Sequence, residues 1–160
     1  MKLTHSMKLT HFACLLLILT IGISTHAYAQ SEIEQFEEIG EAFATKLNNL
    51  FVVQNPEIVE FLPEVEWDDA FRTSGQCMID AFRTEGGEDF VSQMLIKGKE
   101  FIAKDITSFA EFQKQADFMP EDISQQRQVE ISAECGMTAL TITRMQESGF
   151  EQAVQALPQQ

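Results

Sequence analysis

The stretch "DAFRTSGQCMIDAFRTEGG", residues 69–87, repeats the five letters DAFRT after eleven residues, with one cysteine between the two copies. Eleven residues are close to three turns of an α-helix, so equivalent positions of the copies differ by only about 20° around the axis. Phe71 and Phe82 therefore share one face of a helix, which Trp67 and Met78 extend. We interpret the repeat as the apolar face of a buried helix.

The arginines of the two copies, Arg72 and Arg83, lie beside this apolar face, and each follows an aspartate by three residues. Side chains three residues apart on a helix are neighbours, so each aspartate can pair with its arginine. A binding face made of the paired arginines is the alternative to the packing interpretation.

Helical periodicity fills most of the remaining chain, and no Asn-Gly or Asp-Gly hairpin signal joins alternating runs. Capping boxes at Ser31 and Ser108 mark helix starts, and Gly86-Gly87 marks a helix end. The sequence thus predicts an all-α fold, a compact bundle of about five to six helices with one interhelical disulfide. The predicted helices are 31–53, a short piece from Asn55-Pro56 to Pro63, 64–85, 88–104, a short piece after 108, a long helix from Met119-Pro120 to 149, and a terminal turn from Phe150. The apolar stripe of the long helix is predicted to consist of Ile131, Cys135, Thr138, Ile142 and Met145.

Residues 1–29 are predicted to be a secretory signal peptide. Two lysines precede a short apolar run at 12–23, and the small-residue motif at 27–29 predicts cleavage between Ala29 and Gln30. The apolar run is too short to span a bilayer, so no membrane anchor is expected. We therefore expect a periplasmic or secreted protein.

The mature chain is predicted to be a single all-helical domain, residues 30–160. The letters MKLTH occur twice near the start, which leaves Met1 and Met7 as alternative first residues. Cys77 and Cys135 remain after cleavage, 58 residues apart, without the CxxC redox spacing. In an oxidising compartment their predicted use is one structural disulfide, which would stabilise the fold by roughly 4 kcal/mol.

Removal of residues 1–29 would take all three histidines and leave nine basic residues against 25 carboxylates, a formal charge of −16. Without histidine, Ser-His and Cys-His nucleophile pairs and histidine-ligated metal sites are excluded. So acidic a chain does not favour nucleic acid or an anionic membrane as a partner. No cofactor or metal site is predicted, and the five remaining methionines are assigned to the core.

The densest charge lies in "PEIVEFLPEVEWDD", residues 56–69, which holds six carboxylates and the only tryptophan. Charge steers the encounter of two proteins and a central aromatic side chain anchors it, so the run is a predicted docking surface for a basic protein. The alternative is that Trp67 is core and the acids only keep the domain soluble. The predicted partner-binding residues are Glu57, Glu60, Glu64, Glu66, Trp67, Asp68 and Asp69.

The segment "RMQESGFEQAV", residues 144–154, resembles the glutamate motif of lytic transglycosylases, secreted α-helical enzymes that cut peptidoglycan. In that family the glutamate of an E-S-G-F stretch is the general acid, a role that the resemblance would assign to Glu147. The resemblance covers about five residues, and the G-L-M-Q segment of the family does not occur in this chain.

Three functions are compatible with these patterns. The first is protein binding in the periplasm of a Gram-negative bacterium, as an inhibitor or a toxin-immunity protein does, with no catalytic residues. The second is an acid-stress chaperone, because falling pH relieves the self-repulsion of so acidic a domain. The third is a carboxylate-based hydrolase of cell-wall glycans.

Overall fold

The computed structural model describes residues 30–115 and 119–157, and the predicted signal peptide lies outside these ranges. Within them the chain forms helices and no strand, which confirms the all-α prediction. None of the helices in these ranges is both long enough and apolar enough to cross a membrane. The elements are α1 Glu32–Gln54, a 3₁₀ helix Pro56–Phe61, α2 Asp69–Ile102, α3 Phe109–Gln115, α4 Gln125–Glu134, α5 Met137–Glu147 and α6 Phe150–Ala156.

The first helix begins and ends where the sequence predicts. The backbone N–H of Ser31 donates to Glu34 Oε2 at 2.7 Å, and the Glu34 N–H donates to Ser31 Oγ at 3.4 Å. This reciprocal pair satisfies two backbone donors at the start of the helix. The chain leaves α1 at Asn55, and Pro56 then occupies the first turn of the 3₁₀ helix, where its missing N–H costs nothing.

The second helix starts five residues later than predicted. The expected start near Glu64 is wrong, because Asp68 caps the helix by accepting a hydrogen bond of 2.9 Å from the Phe71 N–H. Gly87 interrupts α2 with a φ of 82° and a ψ of 177°, so the predicted stop is confirmed as a bend between two arms, 69–86 and 88–102. Only glycine adopts this conformation easily, because it has no Cβ.

The repeated DAFRT sequence is a packing element. Phe71 and Phe82 are 7% and 1% exposed, which confirms that the repeat places its aromatic side chains in the core. Phe82 also contacts Phe90 with ring centroids 5.5 Å apart, and this contact joins the two arms of α2. A second apolar cluster combines Leu50, Phe101 and Phe112 at the far end of the α2 arm 88–102.

The long helix predicted for 120–149 is wrong. Helix α4 starts only at Gln125, after its cap Ser124, and it ends before Cys135. Gly136 then takes a φ of 82°, which breaks the chain direction before α5 begins. The predicted apolar stripe is lost beyond this break, because Thr138 and Ile142 are exposed.

The predicted disulfide is confirmed. Cys77 on α2 is bonded to Cys135, and their Cα atoms are 5.6 Å apart. Cys135 is the residue that ends α4 rather than a residue within a continuous helix. The bridge therefore fixes the break between α4 and α5 to the middle of the first arm of α2.

All four arginines of the described chain form ion pairs between separate segments, whereas none of its lysines does. The two arginines of the repeat both pair with carboxylates of α1. The face of Arg72 and Arg83, which was the alternative binding face, therefore contacts α1. Arg83 also pairs with Asp80 as expected, whereas Arg72 pairs with α1. The pairs between segments are Arg72–Glu37 at 2.7 Å, Arg83–Glu32, Arg127–Glu85 at 2.6 Å and Arg144–Asp68 at 3.1 Å.

These contacts predict a specific dependence of stability on pH. The pKa values of Glu34, Asp68 and Glu85 are lowered, the first two mainly by backbone N–H donors and the third mainly by the Arg127 guanidinium. A lowered carboxylate pKa stabilises the folded chain above the ordinary values of 4.5 and 3.8, and that stabilisation is lost as the pH falls through the lower folded values.

We therefore expect Glu85→Gln to lower the urea midpoint at pH 7 and to have a smaller effect at about pH 2, because the wild-type carboxylate becomes protonated as the pH falls through its lowered pKa. The control Glu100→Gln removes an exposed carboxylate that forms no ion pair in the described chain, and should leave the midpoint unchanged at both pH values. An equal effect of Glu85→Gln at both pH values would show that the ion pair with Arg127 is not responsible.

Candidate binding groove

A groove about 530 Å³ in volume lies between α1 on one side and α4 and α5 on the other. It exists because these helices all pack against α2, whereas neither α4 nor α5 packs extensively against α1. Residues 62–68 connect the 3₁₀ helix to α2, and Pro63, Glu64, Val65 and Trp67 of this connecting segment form part of the groove wall. Its volume falls in the range of about 300–1,000 Å³ that is usual for binding sites.

The lining of the groove is mostly apolar and unusually rich in methionine. Four of the five methionines that follow residue 29 contribute to it, and we call the site the methionine groove. Methionine side chains are flexible and polarisable, so they adapt to apolar partners of different shape. The defining residues are Met78, Met119, Met137 and Met145, with Phe36, Phe43, Trp67, Phe71 and Phe82.

Trp67 is held in this wall by two glycines. A Cβ atom added at Gly75 would lie 2.4 Å from the indole ring, and one added at Gly40 would lie 2.7 Å from it. The ring therefore fits between α1 and α2 only because both positions lack a side chain. Its edge contact with Phe36, at 5.7 Å between centroids, and a 2.7 Å hydrogen bond from its backbone N–H to Glu41 complete the fixation.

One cation, Arg144 of α5, lies in the wall of the groove. Its guanidinium stacks on Phe71 at 3.8 Å from the ring centroid. It also donates to Asp68 Oδ2 at 3.1 Å and to the Glu64 carbonyl oxygen at 3.2 Å. Because Asp68 neutralises it and Phe71 covers one face, Arg144 fastens α5 to the connecting segment.

The predicted acidic docking run lies beside this groove. All six of its carboxylates are exposed, and within the described chain Asp68 is the one that forms an ion pair. Trp67 is separated from them by its packing, so the exposed apolar side chains of the run are instead Val59, 53% exposed, and Phe61, 39% exposed. The carboxylates without an ion pair are those of Glu57, Glu60, Glu64, Glu66 and Asp69.

An open acidic depression of about 1,300 Å³ borders the other side of the same run. Val65 belongs to the walls of both the depression and the methionine groove. The connecting segment therefore separates a strongly negative surface from an apolar one. The carboxylates that line the depression are those of Glu34, Glu37, Glu38, Glu41 and Glu66.

The residue assigned by the transglycosylase resemblance lies elsewhere. Glu147 is the exposed last residue of α5, and it contributes neither to the groove nor to the acidic depression. In residues 30–115 and 119–157, no three potential ligands come together to hold a metal ion.

Sequence reasoning missed the groove itself. It assigned Trp67 to the predicted acidic docking run but did not identify Gly40 and Gly75 as the positions that admit its ring. Two glycines inside helices, on elements that flank a lone tryptophan, were the available signal, because glycine within a helix is unfavourable without a packing reason. Comparison with protein-family models, curated proteins and solved structures gives no match.

Proposed function

We propose that the protein acts in the cell envelope by binding a basic protein partner, as an inhibitor or a toxin-immunity protein does. In this proposal residues 1–29 are removed on export and residues 30–160 form the binding domain. The observation that carries it is the position of the connecting segment, the second half of the acidic run, between the acidic depression and the methionine groove.

The charge pattern supports this proposal more than a purely solubilising role. The arginines are used internally, so they cannot neutralise the unpaired carboxylates of the run. A solvated acidic surface alone needs no apolar residues, yet Val59 and Phe61 are exposed among these acids. Unpaired charge accelerates encounter with a basic protein, and exposed apolar side chains give the bound complex its lifetime.

Affinity capture from envelope extract tests the proposal, with the mature domain and its disulfide intact as bait. We expect a basic partner that is retained at about 50 mM salt and released at about 500 mM. Its affinity should fall roughly tenfold when four carboxylates of the run are neutralised, since four exposed pairs of about 0.3–0.4 kcal/mol each sum to about 1.4 kcal/mol. The neutralised set is Glu57→Gln, Glu60→Gln, Glu64→Gln and Glu66→Gln.

A matched control variant carries the same change of charge at exposed positions outside the run. It should retain the partner as wild type does, because its acids lie away from the proposed surface. Loss of binding in the control would show that the affinity depends on net charge and not on the acidic run. The proposal would be contradicted if wild type captured no partner that is released by salt. The control set is Glu100→Gln, Glu121→Gln, Asp122→Asn and Glu147→Gln.

The acid-stress chaperone is a second candidate, supported by the ion pairs between α1 and α2. Ion pairs of Arg72 with Glu37 and of Arg83 with Glu32 hold α1 against α2, and such pairs need ionised carboxylates. Helix α1 forms one whole wall of the methionine groove. Loosening of α1 at low pH would then expose apolar surface to unfolded clients. Protection of a client protein from aggregation at pH 2–3 but not at pH 7 is the expected result, and no protection at low pH rejects this candidate.

A further inference from the structure

We infer that the methionine groove receives the apolar face of an amphipathic basic helix of the partner. This inference rests on the proposed function and adds the chemistry of the contact. The acidic run accounts for the positive charge of the partner. The methionine groove, which shares the connecting segment with the run, supplies an apolar cavity for the contact.

The dimensions of the groove fit a short helix. The apolar part of its α1 wall extends from Phe36 to Leu47, twelve residues whose eleven helical steps span about 16 Å. A partner helix of about three turns has the same length and presents three or four apolar side chains on one face. Recognition of this kind uses apolar anchors at i, i+4 and i+7.

The lining of the groove favours the apolar side chains of a partner protein over a rigid ligand. Met78 on the floor, Met137 and Met145 on the α5 wall and Met119 at the edge surround the space. Unbranched side chains can repack around apolar anchors of different size, so the groove would tolerate more than one partner sequence. Val129 of α4 lines the same groove and is 63% exposed, so a bound apolar face would remove it from water.

The negative charge around the groove favours a partner with positive charge. Glu64 lies in the wall, Glu66 and Asp68 follow in the same segment, and the chain beyond residue 29 carries a formal charge of −16. An anionic amphiphile such as a fatty acid would be repelled by this field, since Arg144, the one cation that the described residues place in the wall, is already paired with Asp68. A helix with a lysine- or arginine-rich polar face is attracted by it.

Trp67 provides a direct measurement, because it is the only tryptophan of the chain and lines the groove. Two tryptophan-free peptides of about 18 leucines and lysines are titrated into the mature domain. One places leucine on a single helical face, and the other has the same composition in an order without such a face. We expect the amphipathic peptide to bind at least about tenfold more tightly and to shift the Trp67 emission.

Two variants identify the groove as the binding place. Val129→Asp puts a charge at its mouth and should weaken the amphipathic peptide about tenfold. Ile96→Asp is the matched control, because Ile96 is also an exposed helical residue, 56% exposed, but does not line the groove. It should leave the affinity unchanged, and both variants should keep the urea midpoint of the wild type.

The other outcomes separate this inference from the proposed function. Equal, salt-sensitive binding of both peptides without a change of Trp67 emission would overturn the groove inference and leave a basic partner in place. Absence of binding by either peptide at low salt would contradict both. Binding of a neutral apolar dye that Val129→Asp abolishes, together with no peptide binding, would make the groove a small-molecule site and overturn the helical partner.

Discussion

Replacement of both Cys77 and Cys135 by serine is expected to lower the free energy of unfolding by about 4 kcal/mol. The bridge closes a loop of 58 residues and so restricts the unfolded chain. It also fixes Cys135, which lies between α4 and α5, to α2, and neither α4 nor α5 packs extensively against α1. Folded domains are stable by only about 5–15 kcal/mol, so this is a large fraction of the total.

Urea unfolding of the oxidised wild type and the double variant, followed by circular dichroism, measures this difference. Wild type with its thiols reduced is the matched control, and it should unfold at the same urea concentration as the double variant. A loss below about 1 kcal/mol would show that packing of α4 and α5 on α2 is sufficient without the bridge.

Truncation of Phe90 to alanine is expected to lower the free energy of unfolding by about 3–5 kcal/mol. Phe90 is 1% exposed and packs on Phe82 across the bend at Gly87, so its removal leaves a cavity where the two arms of α2 meet. It does not line the methionine groove, and any effect on binding would therefore follow from unfolding.

Phe61→Ala is the control for this truncation, because Phe61 is 39% exposed on the 3₁₀ helix. Removal of a partly exposed ring should cost less than about half as much, since much of its surface already contacts water. The same urea titration compares the two variants. A loss as large for Phe61→Ala as for Phe90→Ala would mean that the 3₁₀ helix belongs to the central core.

The sequence predicts the elements best where periodicity and capping agree. Ser31 with Glu34 fixes the start of α1, and the two phenylalanines of the DAFRT repeat identify the buried face of α2. Prediction fails at Gly136, where the apolar pattern continues through a residue that turns the chain. Periodicity does not reveal such a break, because a glycine within a helix and a glycine with positive φ look alike in sequence.

The groove is less predictable from the sequence than the fold, because it lies where neighbouring helices do not pack against each other. The carboxylates between residues 56 and 69 are conspicuous in the sequence, and their predicted role as a docking surface stays a prediction. The methionine groove exists because α1 and α5 both pack against α2 but share few contacts with each other. This arrangement is a property of tertiary packing. Met78 and Met145 occupy positions of the apolar pattern that are equally typical of core residues. The local sequence therefore does not distinguish a methionine of the core from one that lines a groove.

Hydrogen exchange of the mature domain, free and bound to its captured partner, locates the binding surface. Binding should slow exchange in three regions: residues 56–69, the groove wall of α1 from Phe36 to Leu47, and the facing residues of α4 and α5. Protection confined to the lysine-bearing surface around Lys97, Lys104 and Lys114, with no change at the groove or the acidic run, would contradict this expectation.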